Sequence, residues 1–205
     1  GGYGTYEYSI DGGSDWRTTG YFSGLTPGIY TVSIRDRAHP ACVMILDPDL
    51  EITEPDEISA NVGGTAVTCY GANNGTIMIT NPQGGYGTYS YSINGGISWQ
   101  TSETFSNLAT GTYDVRIRDA ANPACWAILD PAVIITQPDA LSASLQKTDV
   151  TCYGATDGTI TITNPSGGYG IYEYSINGGS SWQSATGFGN LAPGTYQAMI
   201  RDASD

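Results

Sequence analysis

The chain has 205 residues and a formal net charge of −13, and its seven basic residues are one lysine and six arginines. This charge excludes nucleic acid as a partner, because binding of phosphate groups needs clustered lysine and arginine. No apolar run is long enough for a membrane-spanning helix, so we expect no membrane insertion in this segment.

One sequence unit recurs every 83 residues, and such a period is the signature of a repeat array. Its clearest part is GGYGTYEYSIDGGSDW, which starts at Gly1 and returns with few changes at Gly84 and Gly167. Pro-Asp pairs at 55–56 and 138–139 separate the copies. We predict a partial repeat module at 1–55, a complete module at 56–138 and a partial module at 139–205, which together form a fragment of a longer array.

The complete unit contains a series of short strands and no helical pattern. Tyr89, Tyr91 and Ile93 alternate with serines, which indicates a strand with an apolar and a polar face. The predicted strands, in chain order, are 58–69 with a break at Gly63-Gly64, 75–80, 89–93, 113–118 and 125–136 with a break near Asp130-Pro131. The fold class is therefore all-β, as tandem Ig-like or fibronectin-like antiparallel β-sandwich modules with an 83-residue period.

Two short motifs refine this prediction. The pattern Leu108-x-x-Gly111-x-Tyr113 resembles a tyrosine corner, in which the phenol hydroxyl bonds back to the backbone, and Tyr30 and Tyr196 hold the same place. The GGYG segment at 84–87 lies between two strands, where its glycines permit positive φ in a tight connection. Its spacing matches no dinucleotide or phosphate-binding loop.

The four cysteines are disulfide candidates, since cysteine at a fixed place in each unit indicates an oxidising compartment. Zinc would need closely spaced Cys and His ligands, which the sequence does not offer. A bridge within the complete unit, Cys69–Cys125, is favoured because a module that folds alone normally carries its own bridge. Pairing across units, Cys42–Cys69 and Cys125–Cys152, is the alternative, and sequence alone cannot decide the connectivity.

The candidate ligand-stacking residues are aromatic. They are Trp16, Trp99, Trp182 and Tyr86. Exposed rings at these positions could stack on sugar rings, whereas buried tryptophans would close one end of each sandwich, and the sequence favours burial.

The candidate metal ligands are the aspartates that follow one strand of each unit. They are Asp36, Asp119 and Asp202. Calcium needs six to eight oxygens, so these residues are weak calcium candidates, and the competing interpretation is that they hydrogen-bond their own turns. We predict no other cofactor. No nucleophile has a recurring histidine beside it, so we predict no enzyme and no catalytic residue.

Four motifs occur in combination, and they are Cys-Tyr-Gly-x-x-Asp/Asn-Gly-Thr-Ile, Gly-Gly-x-Gly-x-Tyr-x-Tyr-Ser-Ile, Phe-x-x-Leu-x-x-Gly-x-Tyr and Arg-Asp…Cys. Together they resemble the SprB-type repeat of very large surface adhesins of gliding bacteria. The resemblance implies an extracellular cell-surface filament that is exported by the type IX secretion route and moved by the gliding machinery, without catalytic residues. We therefore expect a structural or adhesive segment whose partners are external surfaces or polysaccharide and neighbouring modules. The alternatives are an array of carbohydrate-binding modules and a self-assembling appendage subunit.

Overall fold

The computed structural model describes residues 4–204, and its strands are antiparallel throughout. This confirms the predicted all-β class. The chain divides into two compact units, one up to Asp56 and one from Glu57. Within residues 4–204 there is no helix with the length and hydropathy needed to cross a bilayer. The three module boundaries stay a prediction.

The first unit is built on one three-stranded sheet. Strand β1 is Tyr6–Ser9, β2 is Gly28–Asp36 and β3 is Val43–Ile52, and they lie in the order β1-β2-β3. Part of β3 is exposed and apolar, with half or more of the surface of Val43, Met44 and Ile45 open to solvent.

The second unit begins with two three-stranded sheets, which we call the first sandwich. One sheet has the order β4-β5-β7 and the other has the order β6-β8-β9. The strands are β4 Ser59–Thr65, β5 Gly75–Gln83, β6 Tyr89–Ser92, β7 Thr104–Leu108, β8 Gly111–Asp119 and β9 Trp126–Ile135. One core joins the two sheets, and its buried residues are Ile58, Val67, Ile77, Ile79, Tyr91, Val115, Ile117 and Ile135.

A second sandwich follows, and its five described strands repeat the order of β4 to β8. Its sheets are β10-β11-β13 and β12-β14. The strands are β10 Ser142–Thr148, β11 Gly158–Ser166, β12 Tyr172–Ser175, β13 Gly187–Leu191 and β14 Met199–Asp202. Ile160, Ile162 and Tyr174 are buried there, at positions that correspond to Ile77, Ile79 and Tyr91 of the first sandwich.

The tyrosine corner is present in both units. The hydroxyl of Tyr113 donates to the carbonyl of Ala109 at 2.9 Å, that of Tyr30 to Thr26 at 2.7 Å and that of Tyr196 to Ala192 at 2.9 Å. In each case the bond spans four residues and returns to the preceding turn, from the start of β2 for Tyr30, from the start of β8 for Tyr113 and from just before β14 for Tyr196. The motif therefore fixes how the chain enters the strand that follows.

Several details of the predicted strands are wrong, and the first strand ends at Thr65 rather than at residue 69. The strand β4 runs unbroken through Gly63-Gly64, because both glycines pair with β5. The serines of β6 are buried rather than solvent-facing, since Ser90 and Ser92 are 7% and 0% exposed. The predicted break near Asp130-Pro131 is also wrong, because β9 is continuous from Trp126 to Ile135, and only its register with β8 shifts there.

Candidate functional site

The aspartate that ends β8 binds the backbone of the GGYG loop. Asp119 is fully buried, and its Oδ2 accepts the backbone N–H of Tyr86 at 2.6 Å. Its Oδ1 accepts the N–H groups of Ala121 and Asn122 at 2.8 and 3.0 Å. The backbone hydrogen bond from Tyr86 is the largest cause that holds the pKa of Asp119 below its usual range, because the N–H groups favour the charged carboxylate.

The glycines of the loop bring its backbone against this carboxylate. Gly84, Gly85 and Gly87 have φ of 78°, 60° and 85°, which confirms the predicted left-handed turn. The loop is closed from the other side by Tyr89, whose hydroxyl donates to the carbonyl of Gly84 at 2.7 Å. A buried anion and a tyrosine hydroxyl thus hold both ends of one short loop.

Bonds from backbone N–H groups also occur at the other candidate aspartates. Asp202, at the end of β14, accepts the N–H of Tyr169, and its pKa is lowered mainly by the hydroxyl of Ser204 and then by that N–H. Asp36, at the end of β2, is buried and accepts the N–H of Ala38 at 2.9 Å. Each aspartate therefore binds the backbone of its own turns, as the non-metal interpretation of the sequence requires.

The calcium hypothesis stays a prediction, and the hydrogen bonds of these carboxylates argue against it. The Asp119 carboxylate already accepts three N–H groups, so a calcium ion would have to displace them. In the part of the chain that the structure describes, no group of three or more His, Cys, Asp or Glu side chains lies close enough to hold a metal ion.

We expect Gly85→Ala to destabilise the first sandwich by about 1–3 kcal/mol. A Cβ at this position would lie 2.8 Å from the Asp119 Oδ2 and 3.1 Å from the Ile58 side chain, with φ in the left-handed region. Urea unfolding of the whole chain measures the change. Gly63→Ala is the matched control, because its Cβ would enter open space at an ordinary φ. Equal stabilities of the two variants would contradict the role of Gly85.

The three hairpin tryptophans are half-buried and share one environment. The indole Nε1 of Trp16 donates to the Gly13 carbonyl at 2.8 Å, and that of Trp99 donates to Gly96 at 2.9 Å. A Cβ on Gly96 would lie 3.2 Å from the Trp99 ring, and Gly179 stands in the same relation to Trp182. The ring therefore folds back over the glycine turn that precedes it.

An arginine covers one face of each of these rings. The guanidinium carbon lies 4.4 Å from the ring centre for Arg35 over Trp16 and for Arg118 over Trp99, and 4.5 Å for Arg201 over Trp182. Such cation–π contacts contribute roughly 0.5–2 kcal/mol each. A sugar ring would have to compete with the guanidinium for that face. Trp126 has a looser contact, with Arg116 at 5.2 Å.

The tyrosine of the GGYG loop links the two sandwiches. Tyr169 lies in the loop of the second sandwich, and its hydroxyl donates to the Val67 carbonyl of the first at 3.2 Å. Tyr86 occupies the same place in the first sandwich and is 64% exposed. The exposed candidate Tyr86 is thus the counterpart of a residue that contacts a neighbouring repeat.

A second contact and a cleft complete this junction. The Gln137 side-chain oxygen, in the linker, accepts the N–H of Gly71 at 2.9 Å. A cleft of about 230 Å³ lies beside it, lined by residues of both sandwiches and of the linker. They are Thr68, Cys69, Tyr70, Pro138, Asp139, Ala140, Leu141, Gly168 and Asp202. The loop after β4, the linker and the aspartate-bound loop therefore meet in one place.

The favoured pairing of Cys69 with Cys125 is wrong. Cys125 directly precedes the first residue of β9. Cys69 lies near the other end of β9, because it is two residues beyond Val67, and the Val67 N–H donates to the Thr136 carbonyl just after that strand. At roughly 3.3 Å per residue the two cysteines are about 30 Å apart, far beyond the reach of a disulfide. All four cysteines are exposed, and the structure contains no bond between them.

The alternative pairing of Cys125 with Cys152 fails for the same reason. Cys125 lies at the end of the first sandwich that is remote from the junction. Cys152 follows β10, at the end of the second sandwich that is also remote from the junction. Both sandwiches therefore separate the two sulfur atoms. The sequence did not reveal this, because a recurring cysteine shows its place in the repeat but not which end of the fold it occupies.

Buried serines that the sequence pattern did not reveal organise the hairpin turn. The Ser92 Oγ accepts the N–H groups of Asn94 and Gly96 at 3.3 and 2.9 Å and donates to the Asn94 Oδ1 at 2.9 Å. Ser9 and Ser175 make the corresponding bonds. The available signal was the recurring Ser-Ile-Asn/Asp-Gly-Gly, in which a serine two residues before Asn or Asp fits a side-chain-capped turn.

Comparison with protein families adds a direct finding. The family model described as the SprB repeat matches residues 63–97 and 144–181. Two segments of the chain are therefore similar to the SprB repeat. Each match covers the loop after the first strand, the next two strands and the glycine turn, so it includes Cys69 and Cys152 and the GGYG loops. No curated protein and no solved structure matches the chain significantly.

The SprB repeat is a structural repeat of cell-surface proteins rather than an enzyme family. The predicted resemblance is therefore confirmed at these two segments, and it suggests a cell-surface, adhesin-like repeat segment. In the described residues the recurring motifs have three structural roles. They close the GGYG loop, they position the hairpin tryptophan, and they join consecutive sandwiches.

Proposed function

We propose that this chain is a shaft segment of an extracellular adhesin filament that acts in surface adhesion and gliding motility and is exported by the type IX secretion route. Export and gliding rest on the SprB-type resemblance. In this role the repeats provide reach and mechanical continuity, and the contact with external surfaces or polysaccharide is made by another part of the filament. No cofactor is needed for such a task.

The observation that carries the proposal is the contact between consecutive sandwiches. The Tyr169 hydroxyl reaches the Val67 carbonyl, and the loop that carries Tyr169 is held by the carboxylate of Asp202. A residue of the repeat motif therefore serves the connection to the preceding repeat. The linker adds Pro138, which restricts bending because proline fixes its own φ and limits the residue before it.

The tryptophan environment supports a shaft over a sugar-binding array. A carbohydrate platform presents an open aromatic face, whereas Arg118 lies over one face of Trp99 and the glycine turn lies against its edge. Tyr86 is the candidate ring with most of its surface open. A carbohydrate-binding array is therefore the second candidate, and it would depend on Tyr86 more than on the tryptophans.

We expect the chain to show no binding to a glycan panel, agar or bare glass above that of an inert protein of similar charge. Trp99→Ala and Trp182→Ala variants should behave in the same way, with Trp126→Ala as the control for loss of an aromatic ring outside the hairpins. Surface plasmon resonance measures the binding, and amide NMR spectra verify the fold. Binding by the intact chain that Tyr86→Ala or Trp99→Ala abolishes would replace the shaft with the carbohydrate-binding array.

A further inference from the structure

We propose that SprB modules of this type are joined by a disulfide bond between consecutive modules, in a pairing that the sequence alone did not suggest. One partner is the cysteine of the loop after a module's first strand, represented here by Cys69 and Cys152. The other is the cysteine that precedes the last strand of the following module, represented by Cys42 and Cys125. The bond would cross each junction beside its linker. This inference goes beyond the proposed shaft function.

The first observation is the position of Cys69. It lines the junction cleft together with Gly168 and Asp202, which belong to the next sandwich. The thiol-bearing loop is held in place there, because the N–H of Gly71 donates to the Gln137 side chain of the linker. Cys69 therefore lies at the boundary with the following module.

The second observation is the position of the other cysteine within its own module. The backbone N–H of Asp119 donates to the Cys125 carbonyl at 2.9 Å, so Cys125 lies next to the aspartate that ends β8. Asp202 is the counterpart of Asp119 in the second sandwich, and it lines the cleft with Cys69. A cysteine placed against Asp202 in the same way would enter the wall of that cleft.

The turn that would bring it there starts alike in both sandwiches. The N–H of Ala120 donates to the Thr88 carbonyl at 2.8 Å, and that of Ala203 donates to the Ile171 carbonyl at 2.6 Å. The Oδ1 atoms of Asp119 and Asp202 each accept the N–H two residues further on. The path after Asp202 therefore begins as the path to Cys125 does.

The chemistry is a thiol–disulfide exchange with a disulfide oxidant, which is oxidised glutathione in the test below. One thiolate attacks a sulfur of the oxidant, forms a mixed disulfide and releases one glutathione thiolate. The second thiolate then attacks the protein sulfur of the mixed disulfide and releases the other glutathione. Two protein thiols are oxidised, one oxidised glutathione is reduced to two thiols, and the protons pass to the thiolates released.

The test uses this chain and an extended version of it. In the extended chain, residues 203–205 are replaced by a copy of residues 120–138, which supplies the last strand and one added cysteine. Both proteins are incubated with oxidised glutathione, alkylated and digested, and linked peptides are identified by mass spectrometry. The extended chain has five thiols, the four native ones and the added one. We expect it to lose two of them to a single bridge that joins Cys69 to the added cysteine.

Three serine variants of the extended chain test which cysteines form the bridge. Cys69→Ser and a serine in place of the added cysteine should each abolish the bridge, whereas Cys152→Ser should leave it intact. The original chain should form no intramolecular bridge. Oxidation in denaturant gives the pairing expected without a fold, and amide NMR spectra show that the extended chain is folded. The proposal would be overturned by a Cys69–Cys125 or Cys42–Cys69 bridge. It would also be overturned if the folded chain gave the same mixture of disulfide pairings as the denatured chain, or if all five thiols of the folded chain stayed unreacted.

Discussion

Replacing Ile117 with alanine is expected to lower the free energy of unfolding of the first sandwich by about 3 kcal/mol. Ile117 is fully buried and lies opposite Tyr91 on one neighbouring strand and Ala127 on the other, at the centre of the sheet β6-β8-β9. Its truncation leaves a cavity in a core that two small sheets share. Urea unfolding followed by amide NMR measures the loss.

The matched control is Ile97→Ala, because the Ile97 side chain is 87% exposed. We expect its effect to stay within about 0.5 kcal/mol, as for most surface substitutions. A similar loss for the two variants would mean that the face-to-face packing of the sheets does not hold the module together.

Replacing Asp119 with asparagine is expected to lower the melting temperature at pH 7 by roughly 5–10 °C. Asparagine offers one acceptor oxygen and an amide N–H₂ group, so an N–H of Tyr86, Ala121 or Asn122 loses its partner. The fold of the GGYG loop would loosen as a result. Thermal unfolding monitored by circular dichroism from pH 2 to 7 measures the effect.

The pH dependence of this variant follows from the lowered pKa of Asp119. A carboxyl whose pKa is lower in the folded state contributes stability that is present above its unfolded pKa of roughly 3.9 and is lost as pH falls through the folded pKa. The difference between the parent chain and Asp119→Asn should therefore shrink below about pH 4. Asp130→Asn is the control, since that carboxylate accepts one turn N–H at 2.8 Å. A difference that does not change with pH would contradict the role of the charge.

The strands and turns could be predicted from the sequence because they are local. Alternation of apolar residues indicates the strands, and the spacing from Leu108 to Tyr113 indicates the tyrosine corner, whose hydroxyl bond spans four residues. The GGYG turn was also predicted, since its glycines need positive φ. Each of these features depends on residues within one short segment, so the repeat displays it in every copy.

The rest depends on residues that are distant in the sequence. Asp119 was a calcium candidate because its N–H donor at Tyr86 is 33 residues away. Ser92 was placed on a polar face because alternation cannot distinguish a serine in water from one that caps a buried turn. The cysteine pairing failed because strand direction decides which end of the sandwich each cysteine occupies.

The rigidity of the junction tests the central claim most directly. Residual dipolar couplings of backbone amides can be measured separately for the first sandwich and for the second. If the Tyr169 hydroxyl and the Gln137 amide hold the two together, one alignment tensor should fit both sets of couplings, and Tyr169→Phe combined with Gln137→Ala should require two. Two independent tensors in the unchanged chain would mean that the repeats are flexibly tethered, and the shaft interpretation would be wrong.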